Sequence, residues 1–261
     1  MALFSSTFIA VYTITLAFIF GTVFASFITC TAGRILAGED WTKGYSHCDT
    51  CGHKLGTLDL FPIISYVALK GKCRYCGAHV PIRCLISEAL LGVVFVVIVI
   101  VHGTIDAVMA RNLALAVLVM GLSFCDIDGD KLPKGFIVSM LVAWLIALMF
   151  SKDIRPELTE GVIAAALGAI IIFAVTSKVQ VNDRAGIIAL AAVLLLYAGI
   201  YRGISALVIT LITALIFKGM NKKIHLGAIM GCAFLASIVL GECLTEILPA
   251  ISIDFSNLNL I

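Results

Sequence analysis

Blocks of apolar residues, each close to the length of a membrane-spanning helix, follow one another along this chain of 261 residues. Eight such blocks lie near residues 4–31, 84–102, 107–125, 135–151, 160–177, 185–201, 203–218 and 225–249. About 20 apolar residues are enough to cross the hydrocarbon core of a bilayer. Because that core offers no water to the backbone, a helix is the only stable form for such a block. The sequence therefore predicts an all-α polytopic membrane protein with about eight transmembrane helices.

The first apolar block is predicted to be a helix that the protein retains. No Lys or Arg precedes it and no clear cleavage box follows it, so the pattern differs from that of a secretory signal peptide. We therefore expect residues 1–31 to form the first transmembrane helix.

The overall composition supports a membrane protein and excludes other classes. Hydrophobic residues make up 61% of the chain and charged residues only 13%, with a mean hydropathy of +1.12. Because soluble domains carry about a quarter charged residues, a soluble globular domain is excluded, as are a disordered and a collagen-like chain. The apolar blocks predict a lipid bilayer as partner, whereas a net charge of only +2 and the lack of a nucleic-acid motif in the sequence give no reason to expect nucleic acid.

The placement of Lys and Arg predicts how the chain is oriented. Basic residues concentrate in the cytoplasmic segments of membrane proteins. With the N-terminus outside, 14 of the 18 Lys and Arg residues fall in inside segments. We therefore predict that the long loop at residues 32–83 faces the cytoplasm and that both termini lie outside.

The long loop carries two tight cysteine pairs. Cys48 and Cys51 form one C-x2-C pair, Cys73 and Cys76 form a second, and each pair is followed by Gly. Four thiolates in two such pairs are the ligand set of a tetrahedral structural zinc site. The loop is too small for a large core, and a cytoplasmic location disfavours disulfides. The sequence thus predicts a zinc-ribbon-like domain at residues 32–83, with a reduced, metal-free loop as the alternative.

Two aspartates at the cytoplasmic boundary of the membrane are the candidate catalytic residues. Asp126 follows the third apolar block and Asp183 precedes the sixth. Ionisable residues at membrane depth are costly and are candidates for function. Two carboxylates brought close together share a proton, so that one is an acid and the other a base. Such a pair can activate water for attack on a peptide carbonyl. Spacing alone does not establish this pairing, and an ion pair of Asp183 with Arg184 is the alternative.

Three further acidic residues lie near the same boundary. Glu88, inside the second block, is either a functional intramembrane carboxylate or a partner for Arg83. Asp128 and Asp130, on either side of Gly129, are predicted to be solvated loop charges. The segment lacks the terminal Glu of a calcium-binding loop, so we do not expect calcium there.

Several short motifs occur in one order along the loop and its flanks. They are Ala25-Ser26-Phe27 with Arg34, Ser46 to His53, Asp59 to Tyr66, Gly71 to Gly77, Pro81-Ile82-Arg83 and Glu88. In this order they resemble the bacterial type IV prepilin peptidases. The later segment Asp126-Ile127-Asp128, followed by Leu132-Pro133, resembles the first catalytic motif of that family, in which the first Asp is catalytic.

The resemblance implies an activity and a location. It implies an aspartic endopeptidase with Asp126 and Asp183 as the catalytic pair, in a transmembrane peptidase domain at residues 84–261. The enzyme would remove the basic leader of prepilin or pseudopilin substrates after Gly, at the cytoplasmic face of the bacterial inner membrane. The resemblance also implies N-methylation of the new N-terminus with S-adenosylmethionine as cofactor.

A basic leader requires acidic partners on the enzyme, because the cytoplasmic segments of this chain are themselves basic. The loop offers four acidic residues for this role, namely Glu39, Asp40, Asp49 and Asp59. Their part in leader recognition is a hypothesis.

The second catalytic motif of the family, Gly-x-Gly-Asp, is only partly present. Gln180-Val181-Asn182-Asp183 occupies its place, so both glycines are absent, although Asn tolerates unusual backbone angles better than most residues. Two other functions stay open. One is a catalytically impaired docking protein for pilus or secretion assembly, which would tolerate Asn at position 183. The other is a transporter using Glu88 and the aspartates as an ion path, against which the cysteine loop argues.

Overall fold

The computed structural model describes residues 6–42, 44–129, 132–150, 154–178, 183–219 and 225–247. These residues form eight α-helices and one short 3-10 turn, Thr57–Asp59. The helices are α1 (Thr7–Ala37), α2 (Ile64–Ala68), α3 (Ile82–His102), α4 (Ala107–Gly129), α5 (Lys134–Met149), α6 (Ile154–Lys178), α7 (Arg184–Gly219) and α8 (Leu226–Ile247).

The helices confirm the predicted all-α membrane architecture. Each of the eight predicted blocks coincides with a helix or with half of one, and the described residues contain no strand. Among the described residues, four helices are long and apolar enough to cross a membrane: α1, α3, α4 and the part of α6 at Leu158–Ser177. The shorter apolar helical segments are α5, with 16 residues, two parts of α7 and the part of α8 at Leu226–Ser237.

Helix α7 contains two predicted blocks because the chain bends sharply inside it. Gly199 has φ +65° and ψ −170°, a conformation that is essentially restricted to glycine. The apolar helices on either side are Arg184–Gly199 and Gly203–Thr213. They correspond to the predicted blocks at residues 185–201 and 203–218.

The ends of α1 and α3 follow local sequence signals. The side chain of Ser6 accepts a hydrogen bond from the N–H of Ile9 and caps the start of α1. Both helices end at a glycine in the left-handed conformation, Gly38 with φ +74° and Gly103 with φ +67°. Helix α3 begins directly after Pro81, a residue that is preorganised for the start of a helix.

Small residues allow α1 and α3 to pack with their backbones in close approach. A Cβ atom on Gly21 would lie 2.7 Å from the carbonyl oxygen of Leu91, and one on Gly92 would lie 2.8 Å from the ring of Phe18. Close contact through small residues is a common way for membrane helices to associate, because lipid provides no hydrophobic drive between them.

The larger of two buried clusters lies mainly between α4, α5, α7 and α8, and the periphery is apolar as well. Leu115, Leu122, Met140, Leu190 and Phe234 are at most 1% exposed and belong to one cluster. Large apolar side chains also remain exposed on the outer faces of the helices, among them Phe8, Phe20, Ile86, Val142, Ile170 and Ile212. Such an exposed apolar surface suits a bilayer rather than water.

Candidate active site and metal centre

The two cysteine pairs fold into two turns with the same hydrogen-bond pattern. In the first, the N–H of Gly52 donates to the carbonyl of Cys48, and the N–H of Cys48 donates to the carbonyl of His53. In the second, Gly77, Cys73 and Ala78 repeat this pattern. Both glycines have positive φ, +68° and +72°, so the Gly after each pair is required by the backbone.

The four cysteine sulfurs converge on one point, as the spacing predicts. The Sγ atoms of Cys48, Cys51, Cys73 and Cys76 all lie within 4.8 Å of one another, and those of Cys48 and Cys76 are 3.9 Å apart. Four sulfurs at about 2.3 Å from a tetrahedral zinc are separated by about 3.8 Å, so this set fits the ion. The set has no position left for water, which fits a structural rather than a catalytic zinc.

The backbone prepares Cys48 for metal binding. The N–H groups of Cys51 and Thr50 point at the Cys48 sulfur and lower the pKa of Cys48 to about 6. This favours the thiolate, which is the form that binds metal. The histidines beside the pairs, His47, His53 and His79, are exposed and lie outside the four-sulfur group, as expected.

An acidic residue between the two turns holds the loop together. Asp59 accepts hydrogen bonds from Arg74 Nε at 2.6 Å, from the Tyr75 hydroxyl at 3.1 Å and from the N–H of Gly56 at 3.1 Å. The Arg74 guanidinium holds the pKa of the Asp59 carboxyl below its ordinary value. The ring of Tyr75 also stacks on His53, with ring centroids 3.6 Å apart, so the second turn packs against the first.

Two polar contacts connect the loop and α3 to their surroundings. Glu88 Oε2 accepts a hydrogen bond from the N–H of Ile63 at 2.7 Å, and Arg83 Nη1 lies 2.5 Å from Asp128 Oδ1. Arg83 is therefore paired with Asp128. Glu88 is not the partner of Arg83, because its carboxylate accepts a hydrogen bond from the backbone of the loop. Asp128 lies in the last turn of α4 rather than in a solvated loop, and Asp130 falls outside the described residues.

Asp126 is buried and its carboxylate faces the start of α8. The residue is 8% exposed, and its Oδ2 accepts a hydrogen bond from the N–H of Ala228 at 2.9 Å. Ala228 is the third residue of α8, so Asp126 caps that helix from across the molecule. A Cβ atom on Gly227 would lie 3.1 Å from this oxygen, so glycine leaves the space that the carboxylate needs.

His225, directly before α8, returns a hydrogen bond to α4. Its Nδ1 lies 2.8 Å from the carbonyl oxygen of Asp126. A carbonyl can only accept, so Nδ1 carries the proton and donates. This carbonyl is among the last four of α4, which have no partner within their helix. The end of α4 and the start of α8 thus cap each other, Asp126 through its side chain and His225 through its ring.

Asp183 occupies the equivalent position at the start of α7. Its Oδ1 accepts a hydrogen bond from the N–H of Gly186 at 2.9 Å, the pattern of a local helix cap. The carboxylates of the two candidate aspartates therefore each cap the start of a helix, and these hydrogen bonds do not join one carboxylate to the other. The altered motif residues before Asp183, at 180–182, fall outside the described residues.

The first turn of α8 is the part of the site that the sequence does not predict. His225, Gly227 and Ala228 lie about a hundred residues beyond Asp126, and nothing in their spacing indicates the contact. One weak signal exists. His225 is a polar residue at the start of the apolar block at residues 225–249, where a helix cap is expected but histidine is not a preferred cap.

Comparisons with known proteins give matches to one group. Residues 19–102 match the family described as Bacterial Peptidase A24 N-terminal domain. This match includes most of α1, the cysteine loop and α3, and it leaves Asp126 and Asp183 outside.

Several curated relatives that match the chain carry one common name, prepilin leader peptidase/N-methyltransferase. The protein of that name from Myxococcus xanthus (strain DK1622) is 30% identical over 152 residues, which are 58% of this chain and 44% of that protein. The one from Dichelobacter nodosus is 32% identical over 130 residues, 50% of this chain and 44% of that protein. The one from Pseudomonas putida is 25% identical over 180 residues, 60% of this chain and 61% of that protein.

The matches therefore span less than half the length of the first two relatives. No solved structure matches the chain.

Proposed function

Because the chain belongs to the bacterial type IV prepilin peptidase family, we propose that it is a membrane-embedded aspartic endopeptidase. Its substrates are prepilin or pseudopilin proteins, from which it removes the basic leader after Gly. The reaction takes place at the cytoplasmic face of the inner membrane, the side that the basic residues indicate.

The observation that carries the proposal is the environment of Asp126. This carboxylate is almost fully buried at the end of a membrane helix, where an ionisable group is costly and is expected to serve a function. The N–H of Ala228 orients one of its oxygens, and Gly227, which has no side chain, allows the start of α8 to approach the carboxylate closely. A catalytic acid or base has to be held in such a fixed orientation.

Asp183 is the second member of the proposed pair. When substrate is bound, one carboxylate holds the shared proton and the other accepts a proton from the attacking water. The proton of the acid then passes to the leaving amine of the scissile bond. Asp183 is already oriented by the N–H of Gly186, so both groups are placed by helix starts rather than by flexible loops.

His225 is proposed as a positioning residue of this site. Its ring ties the carbonyl of Asp126 to the start of α8, so it fixes the residue whose carboxylate reacts. We expect it to act through Asp126 rather than on the substrate.

The four cysteines would hold a structural zinc ion. The ion would neutralise the thiolates and fasten the two turns, which a loop of this size needs because its apolar core is small. The proposal extends to N-methylation of the new N-terminus with S-adenosylmethionine, on the names of the relatives.

The acidic residues of the loop differ in their suitability for leader binding. Asp59 is engaged with Arg74 and Tyr75, whereas Glu39 and Asp49 are exposed. We therefore assign leader recognition to Glu39 and Asp49. Charge reversal at these two positions should raise the apparent KM for a prepilin, and an unchanged KM would contradict the assignment.

Leader removal from a prepilin of the same cell, followed by mass spectrometry on purified protein in detergent, tests the proposal. Cleavage should be lost in Asp126→Asn and in Asp183→Asn. Asp106→Asn is a matched control, because Asp106 caps the other end of α4 and should not affect cleavage. The same spectra reveal methylation by the added mass of the methyl group. Absence of cleavage by the folded, unmodified protein would favour the docking function instead.

A further inference from the structure

The loop that carries the cysteines exposes a set of apolar side chains on one short segment. The set consists of Leu58, Leu60, Phe61, Ile64 and Val67, which are 67%, 44%, 53%, 67% and 63% exposed. We call this set the apolar loop face. Five large apolar side chains within ten residues are an exposed patch of the kind that marks a contact with protein or membrane.

The segment has one side that packs inward and one that does not. In α2, Tyr66 turns toward the protein, where its hydroxyl donates to the carbonyl of Val80 at 3.3 Å. Ile64 and Val67 lie three residues apart on the helix and share the opposite, exposed side. The helix therefore places two of the five side chains of the face, and the other three precede it in the same segment.

A strained turn and a carboxylate of α3 fix where this segment lies. Ile63 has φ +62° and ψ −52°, and the N–H of Ile64 donates to the carbonyl of Pro62, which together form a rare type of γ-turn. The N–H of Ile63 donates to Glu88 Oε2 at 2.7 Å. A β-branched residue in this conformation is a genuine outlier, so the surroundings must hold it there.

The contact with Glu88 sets the depth of the apolar loop face. Arg83 and its partner Asp128 mark the polar end of α3 and α4. Glu88 lies five residues further along α3, which is about 7.5 Å deeper at about 1.5 Å per residue. Ile63 is bonded to this carboxylate, so the residues around it lie below the polar boundary and not above it.

The side of α3 at this level is itself exposed and apolar. Ile82, Ile86 and Leu90 are 60%, 56% and 50% exposed, as expected for a helix side that contacts lipid. The apolar loop face is thus at the depth of a surface that already faces acyl chains.

We propose that the apolar loop face inserts into the cytoplasmic leaflet, so that the cysteine loop is anchored in the membrane by a shallow re-entrant segment. Interfacial helices bury their apolar side about 5–10 Å into the boundary between headgroups and acyl chains, which agrees with the depth given by Glu88. The exposed Lys70 and Lys72, at the end of the same segment, would lie at the level of anionic headgroups.

Depth-dependent fluorescence quenching tests this proposal on the full chain. The chain has two Trp residues, so Trp41→Phe and Trp144→Phe provide a background without them. Ile64→Trp is then compared in vesicles of zwitterionic and anionic lipids brominated at shallow or deep acyl positions. Val93→Trp, on the exposed side of α3, is the membrane reference, and Tyr45→Trp, beside the first cysteine turn, is the reference outside the membrane.

We expect bromolipids to quench the indole introduced by Ile64→Trp strongly and to leave the one introduced by Tyr45→Trp unquenched. Shallow bromine should be the more effective at position 64, whereas deep bromine should be the more effective at position 93. Quenching at position 64 no greater than at position 45, with position 93 quenched in the same vesicles, would overturn the proposal. The proposal also fails if the indole at position 64 leaves water only when a peptide with an apolar pilin-type segment is added, because the face would then bind substrate.

A matched pair at position 88 tests the mechanism of anchoring. Glu88→Gln retains an oxygen that accepts from the N–H of Ile63, so quenching at position 64 should be preserved. Glu88→Leu removes the acceptor, and the quenching should fall toward that at position 45. Equal quenching in the two variants would show that Glu88 does not set the depth.

Discussion

Asparagine and alanine substitutions separate the two parts that each candidate aspartate plays. Asp126 and Asp183 are proposed to transfer protons, and both also accept a hydrogen bond at the start of a helix. Asparagine keeps an oxygen that accepts this bond and caps a helix about as well as aspartate, but it cannot titrate. Alanine removes both properties. The asparagine variants should therefore lose cleavage and keep stability, whereas the alanine variants should lose both.

The structure gives a different magnitude for each position. Asp126 is buried and joins two helices, so its replacement by alanine leaves the buried N–H of Ala228 without its acceptor, which costs about 1–3 kcal/mol. Asp183 is half-buried and caps its own helix, for which replacement by alanine costs about 1 kcal/mol. We expect the difference in unfolding free energy between alanine and asparagine to be larger at position 126. Removal of either group should lower the cleavage rate at least about 100-fold.

The assay combines thermal unfolding in detergent with leader removal measured by mass spectrometry on the same preparations. Asp106→Asn and Asp106→Ala repeat the comparison at a third cap, where the N–H of Met109 donates to the carboxylate. The alanine variant should be less stable than the asparagine variant there as well, and both should retain full cleavage. Cleavage by either asparagine variant at position 126 or 183 at a rate close to that of the unmodified protein would refute the aspartic mechanism. Equal stability of the asparagine and alanine variants at position 126 would refute the tie between α4 and α8.

Three other parts of the molecule can be tested in the same preparations. Cys51→Ser should abolish bound zinc, measured as metal per chain, while Cys30→Ser should retain it; equal metal content would refute the four-sulfur site. Gly21→Ala should lower the unfolding temperature, because its Cβ would meet the backbone of α3. Gly33→Ala should not, because no atom lies within 4 Å of the place its Cβ would take. An equal effect of the two substitutions would contradict the close approach of α1 and α3. Asp59→Asn should destabilise the loop at neutral pH. The pKa of Asp59 in the folded protein lies below its ordinary value of 3.8. The difference in stability between the unmodified protein and the asparagine variant should therefore persist at pH 5 and disappear only as the pH falls below about 3.8. A loss of this difference already between pH 7 and 5 would contradict the ion pair.

The parts of the fold that the sequence predicts well depend on local patterns. Each apolar block is a continuous run, so its helix follows from length and from the lack of water in the bilayer. The convergence of the four cysteine sulfurs is likewise predicted by their spacing, with a glycine at each turn. Both inferences need only information that lies close together in the chain.

The environment of each carboxylate, by contrast, depends on contacts that no local pattern contains. The sequence predicts Glu88 to be a functional intramembrane carboxylate or a partner of Arg83, but it binds the backbone of Ile63, whose strained turn no sequence signal indicates. Asp128 is predicted in a loop and instead pairs with Arg83 in the last turn of α4. Pairing choices of this kind are decided by packing between helices, which separations of 25 and 45 residues do not predict.

These contacts connect the cysteine loop to the candidate active site through α3. Glu88 holds the loop at one point of α3, and one turn and a half earlier on the same helix Arg83 holds Asp128. Asp128 lies two residues after Asp126, whose carbonyl and carboxylate are bonded to the start of α8. A displacement of the loop, by loss of zinc or by withdrawal of the apolar loop face from lipid, would therefore act on the end of α4 at Arg83. It would reach Asp126 through rigid helix ends, so the proposed peptidase site would depend on the cysteine loop and on the proposed zinc ion within it.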